Sequence, residues 1–159
     1  MQGVAKALLI TIIVSICIML FTNLVFFFPW YMTLVVETFN MSQIAASDNY
    51  IKQSYYDDAM ERLSARPIFR EKTEKIEIIV TNDSGGRAVG SDDESYYEGL
   101  SENQKPYRQR GKPVTVEIRA VYPLSITLWG KEYERELPVS FSITTTGLKH
   151  YKDLDYYFE

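Results

Sequence analysis

The sequence has few of the residues that most often carry catalysis, metal binding or covalent cross-linking. Its 159 residues include one cysteine and one histidine, Cys17 and His150. A site built from several thiolates or imidazoles is therefore excluded, and so is a disulfide within the chain. We predict no catalytic residue, no metal site and no cofactor, so the protein is expected not to be an enzyme. Its fold should depend on packing alone.

Positive charge is also limited. Seventeen Lys and Arg stand against 21 Asp and Glu, which gives a net charge of −4. A mildly acidic chain lacks the electrostatic attraction that nucleic-acid binding requires. We predict no nucleic-acid partner.

Charge is absent altogether from Ala7 to Val36. A helix needs about 20 apolar residues to cross the roughly 30 Å hydrocarbon layer, and this run supplies them before Pro29. A signal peptide has a shorter apolar region of about 7 to 15 residues. Segment 1–36 is therefore predicted to be a retained transmembrane helix. The positive charge of Lys6 favours an N-terminus on the cytoplasmic side of a bacterial cytoplasmic membrane, and we predict this orientation, with the remainder outside.

The outer end of this run carries a proline, aromatic residues and two polar residues. Pro29 does not end the helical pattern, so we predict a helix kink there. The aromatic residues around it are predicted to form a membrane-interface belt at headgroup depth: Phe26, Phe27, Phe28, Trp30 and Tyr31. Thr22 and Asn23 are candidates for an intramembrane contact with another helix. The alternative is that Thr22 bonds to its own backbone and Asn23 reaches the outer interface.

The segment 37–66 keeps a helical period. Its apolar residues recur at spacings of seven and four, which gives one apolar face: Ile44, Ile51, Tyr55, Ala59 and Leu63. Pro67 disfavours helical geometry in the residue before it. We predict one long helix over the first 66 residues, kinked at Pro29, with two unrelated helices joined at Pro29 as the alternative.

From residue 75 the apolar pattern alternates in the way that is typical of strands. `KIEIIVTN` predicts one strand, `VTVEIRAVYPLSITLW` a long strand bent at its proline or two strands, and `LPVSFSITTTG` another after a short connection, `GKEYERE`. A polar loop, 82–113, separates the first two, and 146–159 is a C-terminal tail. The predicted fold class is α+β, with the long helix packed on a three- or four-stranded antiparallel sheet over 75–145. Helix 37–66, sheet and tail form an extracytoplasmic domain, 37–159.

This order of elements resembles the pilin-like proteins, and more narrowly the TadE-like pseudopilins and related single-pass proteins of Gram-positive secretion or conjugation systems. The resemblance covers nearly the whole chain in outline. It does not extend to the pilin processing motif, because the fifth residue after Gly3 is Leu8 where pilins carry a glutamate.

The resemblance implies a non-catalytic, membrane-anchored subunit of an extracellular filament, secretion or conjugation apparatus. Its expected partners are membrane lipid and other pilin-like or membrane subunits, with self-association into a filament as one form. A second hypothesis is an accessory or ligand-sensing subunit of another bacterial membrane complex, which would bind a ligand through the loop 87–113.

Overall fold

The computed structural model describes residues 2–69 and 72–154, and it places a helix of 47 residues before a small sheet. The elements in chain order are α1 (Gln2–Asp48), β1 (Ile51–Lys52), α2 (Gln53–Ser64), β2 (Glu77–Asn82), β3 (Val89–Gly90), β4 (Pro113–Leu128) and β5 (Lys131–Thr146). The predicted α+β fold, a long N-terminal helix packed on a small antiparallel sheet, is confirmed. Met1 and residues 155–159 of the predicted tail lie outside the described residues.

The main sheet is antiparallel, with the strand order β2–β4–β5. β4 and β5 pair along their whole length, from Pro113 opposite Thr146 to Leu128 opposite Lys131. β2 pairs only with residues 114–119 of β4. The sheet is therefore three-stranded at one end and continues as a two-stranded ribbon, residues 120–139, which we call the ribbon. β1 and β3 form a separate short parallel pair.

The ribbon is longer than the sequence pattern predicted. `GKEYERE` is not a connection, because β5 begins at Lys131 and the turn consists of Trp129 and Gly130 alone. Pro123 does not divide β4 either, since it pairs in register with Glu136. β2 has already ended at this level, so a residue without a backbone N–H is tolerated at the edge of β4 that β2 leaves open.

The core lies between the sheet and the second half of α1. Alternate residues of β4 are buried on the side that faces the helix: Val114, Val116, Ile118, Ala120 and Tyr122. Their counterparts on α1 include Trp30, Leu34, Met41 and Ala45. Each fully buried large apolar side chain contributes about 1.5 to 3 kcal/mol. This packing, rather than the intrinsic helix propensity of the segment, fixes α1 against the sheet.

The prediction of one helix through to residue 66 is wrong, because α1 ends at Asp48. Asn49 adopts a left-handed backbone conformation (φ 62°) and is buried. Its side-chain Nδ2 donates to the carbonyls of Arg108 (2.9 Å) and Lys149 (2.6 Å), and its Oδ1 accepts from the Lys149 N–H. Asparagine tolerates this conformation better than most residues. The bonds from Asn49 therefore tie the helix end to two distant segments.

α2 folds back beside α1 after this break. Ala59 and Leu63 are buried, as the spacing predicted, whereas Tyr55 of the same predicted face is exposed. Glu37, the first charge after the apolar run, is almost completely buried in α1, and its Oε1 lies 2.6 Å from Nη2 of Arg62. Only the Glu37 carboxylate is buried, since the Arg62 side chain is half exposed, so the pair supplies a partner for the buried charge and contributes less than a fully buried pair.

The segment 82–113 is not a free polar loop. It contains β3 and two turns of 3-10 helix, Glu94–Tyr97 and Glu102–Gln104. Ala88, Tyr97 and Tyr107 are buried in it. The aromatic ring of Tyr107 stacks on Tyr151, with the ring centroids 3.9 Å apart, so the segment packs on the part of the chain that follows the sheet.

Candidate functional site

The N-terminal part of α1 projects beyond the domain. This described helix is long and apolar enough to cross a membrane, and its most apolar window is not buried at all. The twenty residues from Gly3 to Thr22 span about 30 Å, which matches the hydrocarbon thickness of a bilayer. Ile16 and Met19 are half-buried on one face of this segment, and Asn23 on the same face makes a hydrogen bond to β4.

An aromatic cluster joins this segment to the domain. Phe27, Trp30 and Tyr31 of α1 meet Tyr122 of β4, Phe141 of β5 and Phe69, and we call these six residues the aromatic junction. The rings of Trp30 and Tyr122 lie 5.2 Å apart in an edge-to-face arrangement, and Phe69 is equally close to Trp30. Such pairs contribute about 0.5 to 1.5 kcal/mol each beyond their buried area.

The predicted aromatic belt is therefore wrong for Trp30, which is only 2% exposed and belongs to the core. Phe27 and Tyr31 are half-buried in the same cluster. The reason is that Tyr122 and Phe141 offer an apolar surface on this side of α1, so the protein covers these rings. Phe26 and Phe28 are exposed, and their place at the membrane interface stays a prediction.

Asn23 contacts the ribbon, which the sequence did not predict, and its contact with another helix stays a prediction. Its Nδ2 donates to the carbonyls of Met19 (3.0 Å) and Ser125 (2.9 Å). The hydroxyl of Tyr122 donates to the backbone carbonyl of Asn23 at 3.0 Å. Burial raises the pKa of the Tyr122 phenol, which keeps it protonated as this donor. The Thr22 hydroxyl donates to the carbonyl of Ile18 in the same helix, which is the backbone bond that the alternative reading predicted.

Pro29 lies within α1 and does not end it. The helix runs on through the junction, and the Pro29 carbonyl accepts a bond from the Thr33 hydroxyl (3.1 Å). The proline itself is exposed, on the side away from the sheet. The kink at Pro29 stays a prediction.

Segment 87–113, which the second hypothesis made a ligand-binding loop, borders a cleft of about 280 Å³. Arg87, Lys105 and Arg108 are among the residues that line this cleft. The Nη1 of Arg108 donates to three backbone carbonyls, those of Glu102, Lys105 and Tyr107. The side chain of Lys105 is almost completely buried and lies 2.8 Å from the carboxylate of Asp153. Lys105 and Arg108 therefore hold the segment in place.

Metal binding has no support in the described part of the chain. Within residues 2–69 and 72–154, no group of three His, Cys, Asp or Glu side chains lies close enough together to hold a metal ion.

The position of Trp30 gives a first prediction. Trp30→Ala removes a buried indole from the aromatic junction and should lower the free energy of unfolding by about 3 to 5 kcal/mol. Phe28→Ala removes an aromatic ring that is 64% exposed and should change it by less than about 0.5 kcal/mol. Denaturant unfolding of both full-length variants in detergent, followed by near-ultraviolet circular dichroism, measures the difference. Equal effects would mean that Trp30 does not belong to the core.

Asp153 gives a prediction of pH dependence. Burial raises the pKa of its carboxyl, but the bonds from Lys105 and Tyr107 outweigh this, so the pKa lies below its ordinary value of 3.8. Its stabilising effect is present above pH 4 and is lost as the pH falls through the folded-state pKa. Asp153→Asn should cost about 1 to 2 kcal/mol at pH 7, less than a fully buried pair because Asp153 is about a third exposed.

Melting temperatures of the wild type and Asp153→Asn between pH 7 and pH 3 test this. The difference between them should shrink below pH 4. A constant difference over the whole range would contradict the ion pair.

No protein-family model, curated protein or solved structure matches this chain. The similarity to TadE-like pseudopilins stays a prediction from the sequence outline.

Proposed function

We propose that the protein is a non-catalytic, pilin-like subunit that is anchored in the bacterial cytoplasmic membrane by residues 3–22 and associates with other copies through this helix. One observation carries the proposal: the exposed apolar segment is a direct continuation of the core helix of the domain. A flexible tether would only retain the domain at the membrane. A continuous helix also fixes how the domain is presented to its neighbours.

The energetic argument for anchoring comes from the exposed side chains. Ten large apolar residues between Gly3 and Thr22 are exposed: Val4, Leu8, Leu9, Ile10, Ile12, Ile13, Val14, Ile18, Leu20 and Phe21. At about 1.5 to 3 kcal/mol each, their transfer from water is worth about 15 to 30 kcal/mol. This exceeds the net stability of a typical domain, about 5 to 15 kcal/mol, so a bilayer or other helices must cover them.

The backbone and polar groups of this segment are compatible with lipid. The hydroxyls of Thr11 and Ser15 donate to the carbonyls of Ala7 and Thr11. Both hydroxyls are therefore hydrogen-bonded within the helix and do not need a water molecule as a partner in lipid. Lys6 is the single charge in the segment and favours a cytoplasmic N-terminus, which places the domain outside.

Association between copies would use the helix face opposite the sheet. At 100° per residue, Asn23 and Phe27 mark the covered face, and Gly3, Ala7 and Thr11 lie on the other side with Val14 and Ile18. All five of these residues are exposed. Small residues spaced by four let two helices approach closely in lipid, where dispersion contacts drive association.

Cysteine cross-linking tests both parts of this proposal. In a Cys17→Ser background, Val14→Cys places a thiol on the open face, and Met19→Cys places one on the face that the ribbon covers. Membranes are first washed at alkaline pH, and the retained protein is then oxidised. We expect retention of both variants and a disulfide-linked dimer only with Val14→Cys.

The two parts fail in different ways. Release of the protein by the alkaline wash would contradict anchoring. Retention without any dimer, or with equal dimer from both variants, would contradict association through the open face.

A further inference from the structure

The open side of α1 stays apolar beyond the proposed span. Met32, Val36 and Phe39, which we call the outer stripe, are between 39% and 53% exposed. They are spaced four and three residues apart, so they share one side of the helix. At 100° per residue this side lies almost opposite Leu34 and Met41, which are buried in the core. Another helix can therefore reach the outer stripe without meeting the sheet.

Charged side chains of the sheet lie at the height where the outer stripe begins. Phe141 of β5 packs on Tyr31 of α1 and pairs with Ile118 of β4. The two neighbours of Ile118 in β4, Glu117 and Arg119, form an ion pair at 2.8 Å on the other face of the sheet. Charged groups are costly in hydrocarbon, so the bilayer ends before this height. The stripe starts one residue after Tyr31 and continues away from the membrane, so lipid does not cover it.

The outer stripe continues the helix face that the proposed function assigns to association. From Val14, exposed apolar residues follow at spacings of four, three and four to Ile18, Phe21 and Val25, and the outer stripe begins seven residues later. A seven-residue repeat keeps such a line aligned along two helices that wind around each other. A partner that follows the whole line is a helix that crosses the membrane and continues outside it, and a second copy is such a helix.

Charge and orientation also favour a second copy. The chain has a net charge of −4, which makes copies repel each other, but no charged residue occurs between Ala7 and Val36. All anchored copies have their N-termini on the same side of the membrane, so their α1 helices are parallel. A two-fold axis along the helices then brings the outer stripe of one copy onto that of the other, with both sheets facing outwards.

We propose that two copies pack against each other through the outer stripe, so that the contact between parallel α1 helices continues from the membrane into the extracytoplasmic domains. This inference rests on the proposed function, because association within the span brings two stripes together at a high effective concentration. A small apolar contact outside the lipid is then enough to set the angle between the two domains. The result is a symmetric pair with the domains back to back.

Disulfide formation between full-length copies in proteoliposomes tests the inference. In a Cys17→Ser background, Val36→Cys places a thiol on the outer stripe. Ser142→Cys is the matched control, since Ser142 is exposed on the outward face of the sheet, next to the Phe141 that contacts Tyr31. The two-fold axis puts the Val36→Cys thiols close together and the Ser142→Cys thiols on opposite sides of the pair. We expect the yield of linked dimer to differ by about tenfold or more.

A charged substitution distinguishes a packed contact from random collision of copies. Phe39→Glu in the Val36→Cys background places the carboxylates of two copies against each other and should lower the dimer yield about fivefold or more. Ser140→Glu adds the same charge on the outward face of the sheet and should change the yield by less than about twofold. Both positions are exposed, and circular dichroism checks that both variants are folded.

The Val14→Cys variant in the same vesicles separates this inference from the proposed function. A dimer with Val14→Cys but not with Val36→Cys would overturn the inference alone. So would equal yields from Val36→Cys and Ser142→Cys, an unchanged yield with Phe39→Glu, or quenching of a fluorophore on Val36→Cys by brominated lipid. A dimer with neither Val14→Cys nor Val36→Cys would overturn the proposed association and the inference together. A dimer with Val36→Cys alone would support the outer contact and overturn association within the span.

Discussion

The structure depends on the continuity of one helix through two environments. From Gly3 to Thr22 the side chains of α1 are exposed on nearly every side, and from Asn23 onwards one face of the same helix lies under the sheet. An α-helix satisfies its backbone hydrogen bonds internally, so it can pass from lipid to a protein core without a change of conformation. The first half supplies the apolar surface, and the second half supplies the rigid attachment.

The aromatic junction makes this attachment stiff. Rings from α1, both long strands and the segment after α2 meet at one level, next to the hydrogen bonds between Asn23 and the ribbon. Rotation of the domain about the helix would separate several of these contacts at once. The location of the junction also explains why Pro29 is tolerated: the proline is exposed on the open side, while its neighbour Trp30 is held by Phe69 and Tyr122.

Sequence patterns predicted the elements whose periodicity is set by a single buried face. The alternation in β4 is of this kind, whereas the helical run before Pro29 was predicted from its length and its lack of charge, and together they gave the α+β arrangement. The end of α1 was missed because the apolar period continues through Asn49, and the tertiary bonds to Arg108 and Lys149 that hold this residue outside the helix are not visible in the sequence. The dipeptide Asp48-Asn49 was the available signal, since both residue types favour turns.

The junction was predicted in composition but not in location. Aromatic residues beside an apolar span are typical of a membrane interface, and sequence alone cannot distinguish rings that contact headgroups from rings that contact Tyr122 and Phe141. The long pairing of β5 was missed for a related reason. `GKEYERE` is too polar to read as a strand, because its outer face carries glutamates that pair with Lys72 and Lys75 rather than with solvent alone.

The most direct test of the central claim, that span and domain form one rigid unit, is a distance between spin labels on either side of Pro29. In a Cys17→Ser background, labels at Phe21→Cys and Leu148→Cys occupy exposed positions, and Leu148 is hydrogen-bonded through its backbone to Ala46 of α1. The rise of the helix places them about 35 to 40 Å apart. In lipid nanodiscs the account predicts a single narrow distance distribution in this range. A broad distribution, or several separate distances, would show that the domain moves about the helix and would contradict the account.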